Sequence, residues 1–453
     1  MDERLNHDRG APGSPATSTR QRVLTRLDLL RDEMLDTLTA AVRIPSITPT
    51  YPGEVYADLV GAEGEVSRLL AEVYAEAGAE TDVFAVEPGR DNAVGVIRGT
   101  GGGRSLIFNG HVDVVPPGDT SGWRSGDPFD GVVEDGWIRG RGTVDMKSGL
   151  VAQAFAARAL HEAGVRLRGD LILQAVVGEE NLENHLGTSA VLDRGYTADG
   201  AIVSEPTGGA WPLSVMAATP GLLVMRIEVA GKSSHSSMRG RMLCRPSTTE
   251  PVAASAIDRG FVIYQALRRL ESDWAVTKFD PLFEPGHFTL APGVVDGGAR
   301  HSRSGAFIPD SMSMVYAVFH PPGEDQAVVR KEIESHIAHV AATDPWLRAH
   351  PPVVEWPLRY PGSRVDAAHP LCAAVTEARE LAAAGTTLAG RPPVAAFPSA
   401  ADSTWLCAAG VPAVGLGPGE LAMAHAYDER CAVDEIVCAA RAYALAAMDW
   451  CGS

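Results

Sequence analysis

The stretch Ser105-Leu106-Ile107-Phe108-Asn109-Gly110-His111-Val112-Asp113 opens as a short continuous apolar run and ends on a histidine and an aspartate two residues apart. A strand with one wet face would alternate apolar and polar residues; an unbroken run of this length predicts a strand buried on both faces. Asn92 to Ile97, Leu171 to Val177 and Ala201 to Val203 read the same way. Between the runs at 105–108 and 171–177 lies Ser148 to Gly164, rich in alanine and closed by a glycine, which predicts a helix. Strand, helix, strand in this order predicts an α/β domain with a mixed, largely parallel sheet flanked by helices. Two helices precede it. One runs from Gln21 to about Arg43, with Val23, Leu27, Leu30, Met34, Leu35 and Leu38 at helical spacing, and the other across Val60 to Ala77.

The texture changes after Pro212. Leu223, Met225, Ile227 and Val229 alternate with Arg226 and Glu228, so Leu222 to Val229 reads as a strand with one solvated face. A helix over Ala253 to Trp274, a strand over Ser313 to Phe319 and a helix over Asp325 to Ala341 follow. This predicts a small α+β unit inserted into the larger domain, with Leu222 to Val229 supplying an edge open to a second copy. The chain then returns to alanine-rich helices, a short strand Ala413 to Leu416 and a last helix Asp434 to Trp450. The expected organisation is a disordered tail 1–20, a catalytic domain in two parts, 21–215 and 343–453, and the insert 216–342.

Composition narrows the function. The 453 residues are 45% hydrophobic and carry a formal net charge of -18, which argues against wholesale disorder and against a nucleic-acid partner. No apolar run approaches the ~20 residues that span a bilayer, so no membrane partner is expected. Met1 to Arg20 has no apolar segment of the signal-peptide kind, and the six cysteines show no CxxC pairing. A cytoplasmic protein with reduced thiols is the expectation.

Acidic or imidazole groups stand at the ends of the predicted strands, where α/β sheets place their ligands. His111 with Asp113 can bind a metal ion while the carboxylate fixes the imidazole tautomer, although alone the pair also fits a surface histidine. Asp145, in Gly140-Arg141-Gly142-Thr143-Val144-Asp145-Met146-Lys147, is a ligand candidate or an N-cap for the following helix. Glu179 and Glu180 follow the run at 171–177; one can bind metal while the other acts as general base, or both can lie in a solvated loop. Glu205 follows Ala201 to Val203, and His425 follows the glycine-rich turn Gly415 to Gly419. Together, a histidine, an aspartate, two glutamates and a second histidine form a nitrogen and oxygen donor set suited to two zinc ions, with Co²⁺ or Mn²⁺ as possible substitutes.

In these motifs and their order the sequence resembles the zinc metallopeptidase family that includes acetylornithine deacetylase, succinyl-diaminopimelate desuccinylase, aminoacylase and carboxypeptidase G. The resemblance runs from about Leu27 to the C-terminus. It implies that His111, Asp145 and Glu205 hold one zinc ion and that Asp145, Glu180 and His425 hold the other. Asp145 would bridge them ahead of a cis peptide bond, Asp113 would orient His111, and Glu179 would be the general base. It further implies that the insert is a lid and dimerisation domain, that the protein is a homodimer, and that His235, in Gly231-Lys232-Ser233-Ser234-His235-Ser236, completes the active site as a donor to the oxyanion. The implied reaction is hydrolysis of a linear amide in a small N-acyl amino acid-like substrate whose carboxylate lies next to the scissile nitrogen. A dipeptidase or carboxypeptidase on the same site, and a non-catalytic scaffold protein, are the alternatives.

The lid departs from the family pattern. Ala306 stands where the family usually has an asparagine, and the strand at 313–319 ends in His320-Pro321 where the family has an arginine. These groups help hold the substrate's carboxylate or acyl group. Arg300, His301 and Arg303 lie near enough in sequence to replace them, and a merely solvated surface fits these residues equally. Ser399-Ala400-Ala401-Asp402-Ser403 matches only part of a family loop, with alanine for a usual glycine.

Overall fold

Alternate residues of the short apolar runs turn to opposite faces of one sheet, and both faces are covered. Leu106, Phe108, Leu171, Leu173 and Ala175 share a core with helices Thr19–Arg43, Lys147–Glu162 and Val433–Cys451. Ile107, Ile172, Val176, Ala201 and Val203 pack instead with Val191, Leu406 and Val411. Burial on both sides is the reason these runs do not alternate. The computed structural model describes residues 18–209, 211–243, 251–302 and 304–453. Of the expected tail, 1–17 lies outside the described residues, and 18–20 are not tail: Ser18 accepts the Gln21 amide and caps a helix that starts at Thr19.

Among the described residues the large sheet has nine strands. From one edge the order is Glu80–Ala85, Asp91–Ile97, Leu171–Val176, Leu106–His111, Ala201–Val203, Ala413–Gly415, Val215–Thr219 and Ser363–Arg364, with Val394–Ala396 also paired to Val215–Thr219. The four central strands, Leu171–Val176 to Ala413–Gly415, run parallel, and antiparallel pairs flank them. The C-terminal ends of the parallel strands therefore open on one side of the sheet.

The inserted unit has its own antiparallel sheet, ordered Leu290–Gly298, Ser311–His320, Gly221–Ala230 and Val353–Tyr360. Leu223, Met225, Ile227 and Val229 share its core with Met312, Met314, Tyr316 and Val318, beneath helices Ala256–Thr277 and Gln326–Ala341. Two expectations change here. Val215–Thr219 belongs to the large sheet and Val353–Tyr360 to the small one, so the inserted sheet spans 221–360 rather than 216–342. Gly221–Ala230 is central, so the edges are Leu290–Gly298 and Val353–Tyr360. The second edge contains Pro357, where the pairing register shifts, and an edge is where a strand tolerates a proline. Among the described residues, no helix is long and apolar enough to cross a membrane, and Cys372, Cys407, Cys431, Cys438 and Cys451 are unpaired. Cys244 and Arg303 lie outside the described residues.

Candidate metal centre

Each parallel strand beside the centre delivers a side chain at its C-terminal end. His111 closes Leu106–His111, Glu179 and Glu180 follow Leu171–Val176, and Glu205 follows Ala201–Val203. Asp145 reaches the same spot from the loop entering helix Lys147–Glu162, across a cis Asp145–Met146 peptide bond. His425 comes from the loop ahead of Arg430–Ala432, with a left-handed backbone at φ +59°.

His111 Nε2 lies 3.0 Å from Asp145 Oδ1, 3.7 Å from Glu205 Oε1 and 3.9 Å from Glu179 Oε2. His425 Nε2 lies 3.0 Å from Glu180 Oε2 and 3.3 Å from Asp145 Oδ2. Asp145 thus gives one oxygen to each histidine, as a bridging carboxylate must. Ligands held at ~2.0–2.1 Å around a tetrahedral ion stand about 3.3–3.4 Å apart, so these separations suit a metal site. Two sets converge within 4.8 Å: His111 with Glu179 and Glu205, and His111 with Asp145 and Glu180. Glu180 Oε1 is buried without a hydrogen-bond partner, an acceptor that a cation would satisfy.

The electrostatics point the same way. Burial, reinforced by the charge of Asp145, pushes Glu205 well above the usual carboxylate range and Glu180 up to about 7. Burial also pushes Glu179 well up, against the attraction of His111. Asp145 moves the other way: burial opposes its charge, but hydrogen bonds from His111 and His425 outweigh that and hold it below its ordinary value. Both histidines are raised, against burial, by the same carboxylates. Buried carboxylates this close repel one another unless protons or cations intervene. Such a donor set is suited to divalent metal ions.

Neighbouring groups fix these side chains. His111 Nδ1 sits 2.9 Å from the backbone carbonyl of Asp113 and 3.7 Å from its carboxylate. The carbonyl accepts the Nδ1 proton and leaves Nε2 free for a metal. The expectation that the Asp113 carboxylate orients His111 is corrected to that extent: the carboxylate instead accepts the amides of Glu179 at 3.3 Å and Glu180 at 3.1 Å. Glu429 accepts the amides of Val144 at 2.7 Å and Asp145 at 3.2 Å through Oε1, while Arg141 Nη1 donates to its Oε2 at 2.5 Å. Sequence reasoning missed both roles; the only hint was a charged residue between two glycines, Gly140-Arg141-Gly142. Asp402, which the sequence placed only within a partly matching loop, had been given no role. It is buried, with Oδ2 unpartnered, and burial pushes it up to about 6.

The cluster forms part of the wall of a cavity of about 210 Å³, with Leu222 of the inserted unit facing Phe397 and Ser399 of the larger one. His235 is not brought to the cluster within this chain. It is exposed, its Nδ1 lies 2.8 Å from Ser237 Oγ, and its strand-like bridge is to Phe307, beside Ala306. His320 is buried with its ring against Gly221, and burial lowers its pKa. Arg300 is exposed on the inserted unit.

Comparison with known proteins agrees with this geometry. The chain matches peptidase family M20/M25/M40 over residues 107–449. It is 33% identical over 438 residues to the N-formyl-4-amino-5-aminomethyl-2-methylpyrimidine deformylase of Halalkalibacterium halodurans, covering 95% of this chain and 97% of that protein. A succinyl-diaminopimelate desuccinylase of Methylobacterium nodulans is 38% identical over 174 residues, 37% of this chain and 40% of the relative. The fold of human carnosine dipeptidase 1 superposes with a TM-score of 0.71 at 15% identity, over 97% of this chain and 100% of that one. The strand-end cluster and the length of these matches lead to one conclusion: this chain is a hydrolase and belongs to peptidase family M20/M25/M40.

Proposed function

We propose that this chain hydrolyses the amide bond of a small N-acylated amine at two zinc ions, which cobalt or manganese can replace. His111, Asp145 and Glu205 hold one ion, and Asp145, Glu180 and His425 hold the other. Asp145 between the two histidines is the observation that carries this reading. When bound, the ions lower the pKa of a water toward ~7 and polarise the scissile carbonyl. Glu179 accepts the proton of the attacking water and passes it to the leaving nitrogen.

A formamide is the first candidate substrate. A deformylase matches nearly the whole chain, and among the described residues the two positions that depart from the family pattern carry Ala306, with no polar side chain, and His320, which is buried with its pKa lowered by burial. A second reading, an N-acyl amino acid or dipeptide, is supported by the desuccinylase relative, with exposed Arg300 as its available cation. A turnover panel of N-formyl-4-amino-5-aminomethyl-2-methylpyrimidine, N-acetyl and N-succinyl amino acids and dipeptides separates the two. The expected result is a kcat/KM for the formamide higher by about tenfold or more, the scale on which a few pocket contacts separate substrates. Equal or faster turnover of the N-acyl amino acids moves the assignment to the second reading.

The proposed assembly is a homodimer joined through the inserted units, with His235 acting in the partner's site. The edge strand Leu290–Gly298 supports it, since Val294 and Val295 are exposed there and an open edge invites pairing. In that position His235 donates a hydrogen bond to the oxyanion of the tetrahedral intermediate. His235→Ala should lower kcat by ~10²–10³-fold and leave the metal content intact. Mixing Glu179→Ala with His235→Ala protein should restore activity after subunit exchange, because some dimers then contain one complete site. Exchange without recovery would place His235 outside the partner's site.

A further inference from the structure

The turn that carries Glu179 and Glu180 is gripped from two sides. On one side Asp113 accepts both amides. On the other stands Arg90, a fully buried side chain with no part in the chemistry above. Its Nε and Nη2 donate to the two oxygens of buried Glu63 at 2.7 and 2.9 Å, and its Nη1 donates to Glu183 Oε2 at 2.6 Å. Glu183 belongs to the turn itself: its amide donates to Gly178 O at 2.7 Å, and the Leu182 amide donates to Glu179 O at 2.8 Å. Thr50 Oγ1 adds a third contact, donating to Glu183 Oε2 at 2.6 Å, and Asn181 Nδ2 donates to Thr50 O at 3.1 Å.

The backbone has little room to relax. Gly178 has φ +78° and Leu182 φ +59°. A Cβ on Gly178 would lie 3.1 Å from Glu183 Cβ and 3.3 Å from Arg90 Nη2. Only a planar fork can hold two carboxylates in this way; a lysine offers a single ammonium. The precision matters because Glu179 Oε2 and Glu205 Oε1 lie at nearly the same distance from His111 Nε2, 3.9 and 3.7 Å. Glu179 already converges with His111 and Glu205 within 4.8 Å, so a small shift of the turn decides whether it meets the water or an ion, and a ~1 Å misplacement costs on the order of 10²-fold in rate.

We infer that Arg90 is a positioning residue for the general base: by tying Glu183 to Glu63 it fixes the turn 178–183 so that Glu179 faces the water and Glu180 the metals. This rests on Glu179 being the base. Arg90→Lys and Glu183→Gln, made in the full-length zinc-loaded protein, test it on whichever substrate of the panel the wild type turns over fastest. Each should lower kcat by ~10–100-fold with KM and metal content unchanged. The double variant should be no slower than the worse single one, because both act through one contact. Amide hydrogen exchange across 178–186 should quicken in both variants, with or without metal. A purely structural arginine would lower Tm while leaving kcat and that exchange alone, and this result overturns the inference. Should Arg90→Lys fail to fold, wild-type kcat in Glu183→Gln overturns it equally. Glu179→Ala run alongside separates the two ideas: if it is active, the base assignment falls, and if it is inactive while Arg90→Lys is fully active, only the role of Arg90 falls.

Discussion

Glu179→Ala should abolish turnover and leave both metal sites filled. Glu179 is buried at the end of Leu171–Val176, and its amide is fixed by Asp113. The loss of a general base costs ~10²–10⁴-fold or more in rate. Distance alone does not assign this role, because Glu179 and Glu205 belong to one set with His111. Chemistry separates them. A ligand removed from the His111 set should take its metal with it, whereas a base removed should take only the rate. Elemental analysis of the purified variant, paired with single-turnover kinetics, distinguishes these outcomes. Near-wild-type activity or a metal deficit would each count against the base. Glu179→Gln keeps the shape and should be nearly as inactive, because an amide does not accept the proton from the water.

How much of this was legible in the sequence depends on the distance over which each contact acts. The central strands were legible because burial on both faces leaves an unbroken apolar run, as in Leu106 to Phe108, and Gly221–Ala230 because one solvated face leaves an alternation. Val353–Tyr360 was missed because its neighbour in the sheet is more than a hundred residues away and Pro357 interrupts its pattern. The strands Val394–Ala396 and Ser363–Arg364 are too short to carry a period at all. The metal-binding candidates were legible as polar residues after apolar runs or in glycine-rich loops, and the family resemblance joined them into ligand sets. The groups that hold them were not, since Arg141 and Glu429 meet across 288 residues. Asp113 shows the limit at short range too. Spacing correctly linked it to His111, but the backbone carbonyl makes that contact, while the carboxylate holds the turn of the two glutamates.

Asp145→Ala should have the widest effect of any single change, removing both metals, the activity and part of the stability together. Its Oδ1 faces His111 and its Oδ2 faces His425. Its peptide is held in place by Glu429, itself tied down by Arg141, so the carboxylate is aimed before any ion arrives. Without it the two histidines lose their common acceptor, while Glu179, Glu180 and Glu205 remain packed together in the interior. A metal that binds only the native state stabilises it by ~4 kcal/mol when present at a thousand times its dissociation constant. The variant should therefore melt well below the metal-loaded wild type, near the wild type treated with a chelator, and further chelator should hardly move it. Asp145→Asn sharpens the comparison, because its one remaining oxygen can serve a single ion, so about one metal per chain is expected. Two fully occupied sites in Asp145→Ala would mean that each ion is held without the shared carboxylate, and the bridging assignment would then be wrong.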